Sequence, residues 1–432
     1  MSTKTNKTKL QTPSGMPDIL PEDQAYFKKI YRIVEGYACF YNFGEISPPI
    51  LEHIEIFEKG TGMDTDIIEK QIYSLRSKGG DCLALRPEFT PSLARAYIQH
   101  GMNSLPQPVK LFSFGPLFRH ERPQAGRLRQ FHQFNLEIFG SRRPAVDAQM
   151  IFLFYNIFQS LGIKDIIVQI NSIGDGECRP GYKKLLINYL KKNVRILCPD
   201  CKRRLKTNPL RALDCKEEGC RQVVAAAPQA IDHLCKFCHN HFKKVLEILD
   251  DLDLPYNLNP YLVRGLDYYT RTVFEITPEK ELQKAQSSLA GGGRYDNLIK
   301  LFSNKEVPAF GAAGGVERVI EAMKERQLRA QVTGLPKIFL AQLGDSAKIK
   351  AFKLMEEFRK ANLPVSESLD KESLSTQLKI ANRHEAEYTL ILGEEEAKKD
   401  SVLLRDMKTG KQTLIKLEKV INELKKILKT KT

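Results

Sequence analysis

Four arginines, Arg119, Arg122, Arg127 and Arg129, fall within eleven residues, against one acid, Glu121. Guanidinium forks meet phosphate oxygens two at a time, which a lysine ammonium cannot do. The run that follows, QFHQFNLEIF at 130–139, alternates like a strand. Gln133, Asn135 and Glu137 then share one face, and Phe134, Leu136 and Ile138 the other. A row of amides and a carboxylate beside an arginine loop suits a small polar ligand next to a phosphate. A solvated hairpin with a basic tip would show the same pattern, and spacing alone leaves both open. No GxxxxGK[ST] sequence occurs, so phosphate is not handled by a P-loop.

The cysteines offer a second chemistry. Cys198-x2-Cys201, Cys215-x4-Cys220 and Cys235-x2-Cys238 are three close pairs within forty-one residues. Two pairs would supply the four thiolates of a tetrahedral structural zinc site. The expected ligands are Cys198, Cys201, Cys235 and Cys238, with Cys215 and Cys220 as alternatives. His239 and His241 could contribute, or lie on a helix surface. Cys39, Cys82 and Cys178 read as packing residues.

A length of 432 residues suggests two or three domains. Hydrophobic residues at 42% and charged residues at 28% exclude wholesale disorder, collagen and coiled-coil rods. The longest apolar runs are far too short to span a bilayer, so no membrane partner is expected. Lys and Arg total 67 against 52 Asp and Glu, a net +15, which suits a polyanionic partner such as nucleic acid. Residues 1–15 lack the apolar stretch of an export signal and read as a short arm. A cytoplasmic location follows as an expectation, and in that reducing compartment the thiols point to metal rather than to disulfides.

Several elements must position these groups. Pro21 opens a helix in which Phe27, Ile30, Val34, Tyr37 and Tyr41 recur at steps of three and four. Pro48 and Pro49 confine 44–52 to an edge or interface. Strands are expected at 82–88, 109–118, 130–139, 166–174, 272–276 and 309–313. A helix over 145–161 should bury Ala145, Ala148, Ile151 and Phe152, and another begins near Val316. Residues 176–250 read as a helical insertion. Gly291, Gly292 and Gly293, taken singly, read as a loop that lets a ligand approach the backbone. After a linker at 331–336, strands and helices alternate: 337–343, a helix capped by Asp345, a strand from Pro364, a helix at 371–384 and a strand at 388–393. That order predicts a partly parallel sheet, closed by a hairpin and a basic helix.

Read together, the motifs resemble one family. FRHERPQAGRLRQFHQ is similar to motif 2 of class II aminoacyl-tRNA synthetases in its histidyl-tRNA synthetase form. RGLDYYTRTVFE (264–275) resembles the histidine-specific motif of the same enzymes. AGGGRYDNL (290–298) and FGAAGGVERVI (310–320) resemble the glycine-rich segment and motif 3. GMPDILPED, LRPEFTPSLAR, INSIG and LKTNPLRALDCK also fit, in order along nearly the whole chain.

The resemblance implies a class II catalytic domain over 1–330, an α+β fold with an antiparallel sheet flanked by helices. It carries a cysteine-containing helical insertion at about 176–258. Residues 335–432 would form an α/β anticodon-binding domain. The implied activity joins L-histidine to tRNA(His) through histidyl-adenylate, with ATP as substrate alongside Mg²⁺. The implied assembly is a homodimer through motif 1, at 44–52 and the helix before it. Two other readings are a non-catalytic paralogue that regulates ATP phosphoribosyltransferase, which lacks the anticodon domain, and a zinc-containing RNA-binding module.

Site roles carry over by position. Glu88 and Thr90 match residues that hold the substrate α-amino group, and Phe89 replaces a glycine common there. Arg119 matches the arginine on the α-phosphate and substrate carboxylate. Glu121 and Arg127 match positions near adenine and the γ-phosphate. Gln133 matches a residue beside the substrate carboxylate, and Glu137 one that accepts from an imidazole N–H. Arg264 matches the catalytic arginine. Tyr268, Tyr269 and Tyr295 match walls of the histidine pocket. Arg318 matches the arginine that stacks on adenine and contacts the γ-phosphate.

Overall fold

The computed structural model describes residues 10–62, 65, 67–121, 128–281, 288–330 and 336–429. It divides into two compact units, Met1–Ala330 and Gln331–Thr432.

In the first unit the chain forms strands β1 (Gly44–Glu45), β2 (Leu51–His53), β3 (Tyr73–Arg76), β4 (Cys82–Leu85), β5 (Val109–Phe118), β6 (Gln130–Phe139), β7 (Ile166–Ser172), β8 (Tyr256–Leu258), β9 (Thr270–Pro278), β10 (Ala290–Arg294) and β11 (Ala309–Gly315). Eight make one sheet in the order β1-β5-β6-β11-β10-β9-β7-β8, and β2-β4-β3 make a small second one. The large sheet is antiparallel except at its two edges, where β1 joins β5 and β8 joins β7 in parallel. The Pro48-Pro49 segment follows β1 at one edge, where a missing N–H costs the sheet nothing.

One face of the sheet is covered by the helices Pro21–Phe40, Pro144–Leu161 and Lys236–Asp251. Phe134, Leu136 and Ile138 of β6 point into that core, at 1% exposure or less, as the alternation requires. The helix Pro144–Leu161 buries Ala148, Ile151, Phe154 and Phe158, together with Met150, Leu153, Ile157 and Leu161. Ala145 is exposed and Phe152 half-buried, so the expected face is rotated. The helix is packed on more than one side, and a single stripe does not describe it.

The insertion folds as the helices Arg179–Lys192, Pro199–Arg204 and Glu218–Ala225, leading into Lys236–Asp251. Its apolar residues share a core with Tyr268, Tyr269 and Tyr295 on the other face of the sheet. The glycine triplet is strand β10 in mid-sheet, not a loop. Its missing side chains leave room on the sheet surface.

The second unit holds β12 (Ile338–Gln342), β13 (Val365–Glu367), β14 (Tyr388–Leu392), β15 (Ser401–Asp406) and β16 (Gln412–Lys416), in the order β13-β12-β14-β15-β16. The first three pair in parallel and the last two close as a hairpin, followed by the helix Leu417–Lys429. The helix after β12 starts at Asp345, and Gly344 stands at its N-cap. Asp345 therefore sits in the first turn, where its charge still meets the helix dipole favourably.

Candidate active site

A cleft of ≈ 1100 Å³ opens on the sheet face opposite the three covering helices and reaches into the insertion. Glu88, Thr90, Arg119, Glu121, Gln133, Arg264, Tyr268, Tyr269 and Arg318 all line it. Arg127 lies outside the described residues. Phe89 and Tyr295 are each 1% exposed. Phe89 packs inward beneath the Arg86 guanidinium, 4.5 Å from its ring centre.

Glu88 sits just before the helix Thr90–Gln99. Its Oε1 accepts from the Thr61 hydroxyl at 2.7 Å and its Oε2 from the Tyr268 hydroxyl at 2.9 Å. Burial raises its pKa against those bonds and the Arg119 charge. Glu137 is fully buried. It accepts from Thr90 at 2.7 Å, from Asn135 at 3.3 Å and from the Tyr295 hydroxyl. Burial pushes its pKa up to about 7, the hydrogen bonds opposing. Glu137 faces Gly311 across the β6–β11 pair, and a Cβ at Gly311 would lie 1.4 Å from its Oε2. Only glycine leaves that carboxylate its place.

A pH effect follows. Below about pH 7 the folded protein holds a proton on Glu137 that the unfolded chain releases near pH 4.5. Stability therefore falls as pH rises from the unfolded pKa to about 7, by on the order of 3 kcal/mol. Glu137→Gln removes this slope. Denaturant unfolding at pH 5 and pH 8 measures it, and equal pH dependence in both proteins would contradict the assignment.

The arginines come from separate elements. Arg119 follows β5, donates from Nε to the Pro87 carbonyl at 3.0 Å and lies over the Phe131 ring at 5.2 Å. Arg318 opens the helix Val316–Glu325 and donates to the Ser288 carbonyl at 3.1 Å. Arg264 precedes β9, where it ion-pairs with Glu275. Burial works to lower its pKa, and the Glu275 carboxylate outweighs that and raises it. Glu275 stands opposite Gly291 on β10, and a Cβ at Gly291 would lie 2.5 Å from an Arg264 nitrogen. The glycine thus lets the guanidinium lie flat on the sheet.

Sequence reasoning did not single out Thr61, Glu275 or Glu317. Glu317 accepts from the His132 backbone N–H at 2.9 Å and pins the end of β6 to the helix carrying Arg318. Its signal was its place beside Arg318; Thr61 and Glu275 depend on tertiary contacts.

The thiols form two groups, with ligand atoms inside each within 4.8 Å of one another. One is Cys198, Cys201, Cys215 and Cys220; the other is Cys178, Cys235 and Cys238 with Asp175. The expected quartet of Cys198, Cys201, Cys235 and Cys238 is therefore corrected, because its two pairs open different helices. Cys39 and Cys82 are exposed rather than packed. His241 joins neither group: it is buried against Asp147 at 2.9 Å. In the four-thiol group, Cys198 and Cys215 sulfurs lie 3.8 Å apart, and backbone N–H groups point at Cys198 and Cys220 sulfurs. That donor set suits zinc.

A family model described as Histidyl-tRNA synthetase matches residues 15–319. The chain belongs to the histidyl-tRNA synthetase family. A model described as Anticodon binding domain matches residues 337–427. The histidine–tRNA ligase of Desulfosudis oleivorans is 44% identical over 408 residues, 94% of this chain and 96% of that protein. The histidine–tRNA ligase of Dehalococcoides mccartyi is 42% identical over 416 residues, 96% of this chain and 99% of that one. The solved apo histidyl-tRNA synthetase of S. aureus superposes with a TM-score of 0.79 at 31% identity, over 96% of this chain and 99% of that one. Among the described residues no helix is long and apolar enough to cross a membrane.

Proposed function

We propose that this chain joins L-histidine to tRNA(His) in protein synthesis, by way of histidyl-adenylate. The observation that carries the reading is one cleft holding a hydroxyl-tied carboxylate, Glu88, beside Arg119, Arg264 and Arg318. Family membership supplies the reaction. The histidine carboxylate attacks the α-phosphorus of ATP in line, and pyrophosphate leaves. The 3′-terminal ribose hydroxyl of tRNA then takes the histidyl group, and AMP leaves.

In this reading Glu88 and Thr90 take the α-ammonium of histidine, and Gln133 faces its carboxylate. Glu137 accepts from an imidazole N–H, with Tyr268, Tyr269 and Tyr295 around the ring. A pocket that pairs buried polar groups with the ring nitrogens rejects isosteres, because it would be left with unmade hydrogen bonds. Arg119 and Arg264 stabilise the charge that spreads over the α-phosphoryl oxygens. Glu121, Arg127 and Arg318 hold adenine and the γ-phosphate. Glu121 and Glu321 on the cleft wall offer the carboxylate oxygens that would hold Mg²⁺, which when bound would neutralise phosphate charge.

Cys198, Cys201, Cys215 and Cys220 hold a structural zinc ion. The second unit binds the anticodon arm, the protein acts as a homodimer through 44–52 and the helix before it, and it works in the cytoplasm. A chain ending at Ala330 should keep much of the histidine-dependent ATP–pyrophosphate exchange and lose efficient charging at low tRNA. Unchanged charging would remove the anticodon role. Oligomeric state is measured on the same samples. The regulatory-paralogue reading is disfavoured by the anticodon-domain match, and the RNA-module reading by the arginine-lined cleft.

A further inference from the structure

Asp175 and Cys178 lie in the loop between β7 and the helix Arg179–Lys192. Cys235 and Cys238 open the helix Lys236–Asp251. We propose that these four side chains bind a second zinc ion, separate from the four-thiol site, which clamps the insertion onto β9 and the segment before it that carries Tyr268 and Tyr269.

The donor geometry supports the site. All four ligand atoms lie within 4.8 Å of one another, against a sulfur–sulfur spacing of about 3.8 Å around tetrahedral zinc. The Cys238 N–H points at the Cys235 sulfur at 3.5 Å, the turn that Cys201 makes on Cys198 at 3.4 Å. The Asp175 N–H points at the Cys178 sulfur at 3.4 Å. Such N–H groups stabilise thiolate charge. Cys238 is fully buried, and a Cβ at Gly174 would lie 2.5 Å from the Cys178 sulfur, so the backbone is shaped to admit it.

The carboxylate is oriented for the role. Asp175 Oδ1 faces the Cys178 sulfur at 3.7 Å and accepts from the Glu177 N–H at 3.0 Å. Its Oδ2 accepts from Arg271 at 3.1 and 3.2 Å. An outer partner that fixes a ligating carboxylate is the usual support of a metal site. Three thiolates and a carboxylate around a divalent ion leave a charge of about −2. The Arg271 guanidinium offsets part of it. Three sulfurs and one oxygen at tetrahedral spacing favour zinc over magnesium or calcium, which take oxygen shells.

The site bears on the cleft through Arg271 and Arg179. Arg271 has a φ of +51°, stacks on Phe237 at 4.4 Å and pairs with Asp296 at 3.2 Å. Arg179 donates to the Tyr269 carbonyl at 2.5 Å and to the Gly174 carbonyl at 3.1 Å. The ion thus fixes the backbone that presents Tyr268 and Tyr269.

Zinc is counted by plasma mass spectrometry on the full chain, purified without chelator. Wild type should carry about two ions, and the Cys235→Ser/Cys238→Ser and Cys198→Ser/Cys201→Ser variants about one each. A wild type whose zinc content is unchanged by the Cys235/Cys238 replacement overturns the proposal. Loss of zinc only in that variant would keep it and remove the four-thiol site instead. If the serine variant does not fold, Asp175→Cys decides. After cobalt(II) exchange, a fourth sulfur should shift the visible ligand-field bands and strengthen thiolate charge transfer. A spectrum identical to wild type overturns the proposal.

Discussion

Arg264→Ala slows histidyl-adenylate formation by about 10²–10³-fold, the scale for losing one preorganised donor. The guanidinium lies against β10 where Gly291 leaves space, and the Glu275 carboxylate holds it. Its direction is therefore set before substrate arrives. A fork aimed at developing phosphoryl charge contributes more in the transition state than in the bound ground state. Histidine affinity should change much less, because Glu88, Gln133 and Glu137 remain. Arg264→His keeps some charge without the fork and should recover little. Single-turnover adenylation and equilibrium histidine binding are measured on the same preparations. Collapsed binding with near-normal adenylation at saturation would make Arg264 a ground-state ligand and sink this role.

Arg294→Ala should cost the fold about 3–5 kcal/mol, the range for stripping one partner from a buried ion pair. Arg294 and Asp147 are both fully buried and ion-paired. Asp147 also meets His241 at 2.9 Å, and Arg294 reaches Asp296 at 3.0 Å and the Ser141 carbonyl at 2.8 Å. Burial works to raise the Asp147 pKa, and Arg294 with His241 outweighs it and lowers it. A depressed carboxylate stabilises the fold above its unfolded pKa and ceases to as pH falls through its folded one. Arg294→Ala should therefore be most damaging at neutral pH. Because Arg294 precedes Tyr295, the wall around Glu137 should loosen with it. Denaturant midpoints at pH 7 and in mild acid test this. A loss below about 1 kcal/mol at pH 7 would mean that the ion pair is replaceable.

The parts of the site that obey a local period were legible. The β6 alternation sends Phe134, Leu136 and Ile138 into the core and leaves Gln133, Asn135 and Glu137 on the cleft side. The motif positions of Glu88, Arg119, Arg264 and Arg318 converge on one cleft. The support of those groups was not legible, because it runs across strands and between elements. Glu275 meets Arg264 only because the segment before β9 folds back over the sheet where Gly291 leaves space, and Thr61 reaches Glu88 from the end of the helix Ile54–Thr61. The glycine triplet looked like a loop because glycine is poor in strands; here the flat surface it makes outweighs that propensity. The cysteine pairs could not be matched by spacing, since loops decide which pairs meet.

The most direct test of the account is ATP–pyrophosphate exchange by the full-length chain, measured with each of the standard amino acids in turn. Exchange should depend on histidine, be negligible with the others and fall about 10²–10³-fold in Arg264→Ala. No exchange with histidine from folded protein, or equal exchange with a second amino acid, would contradict it.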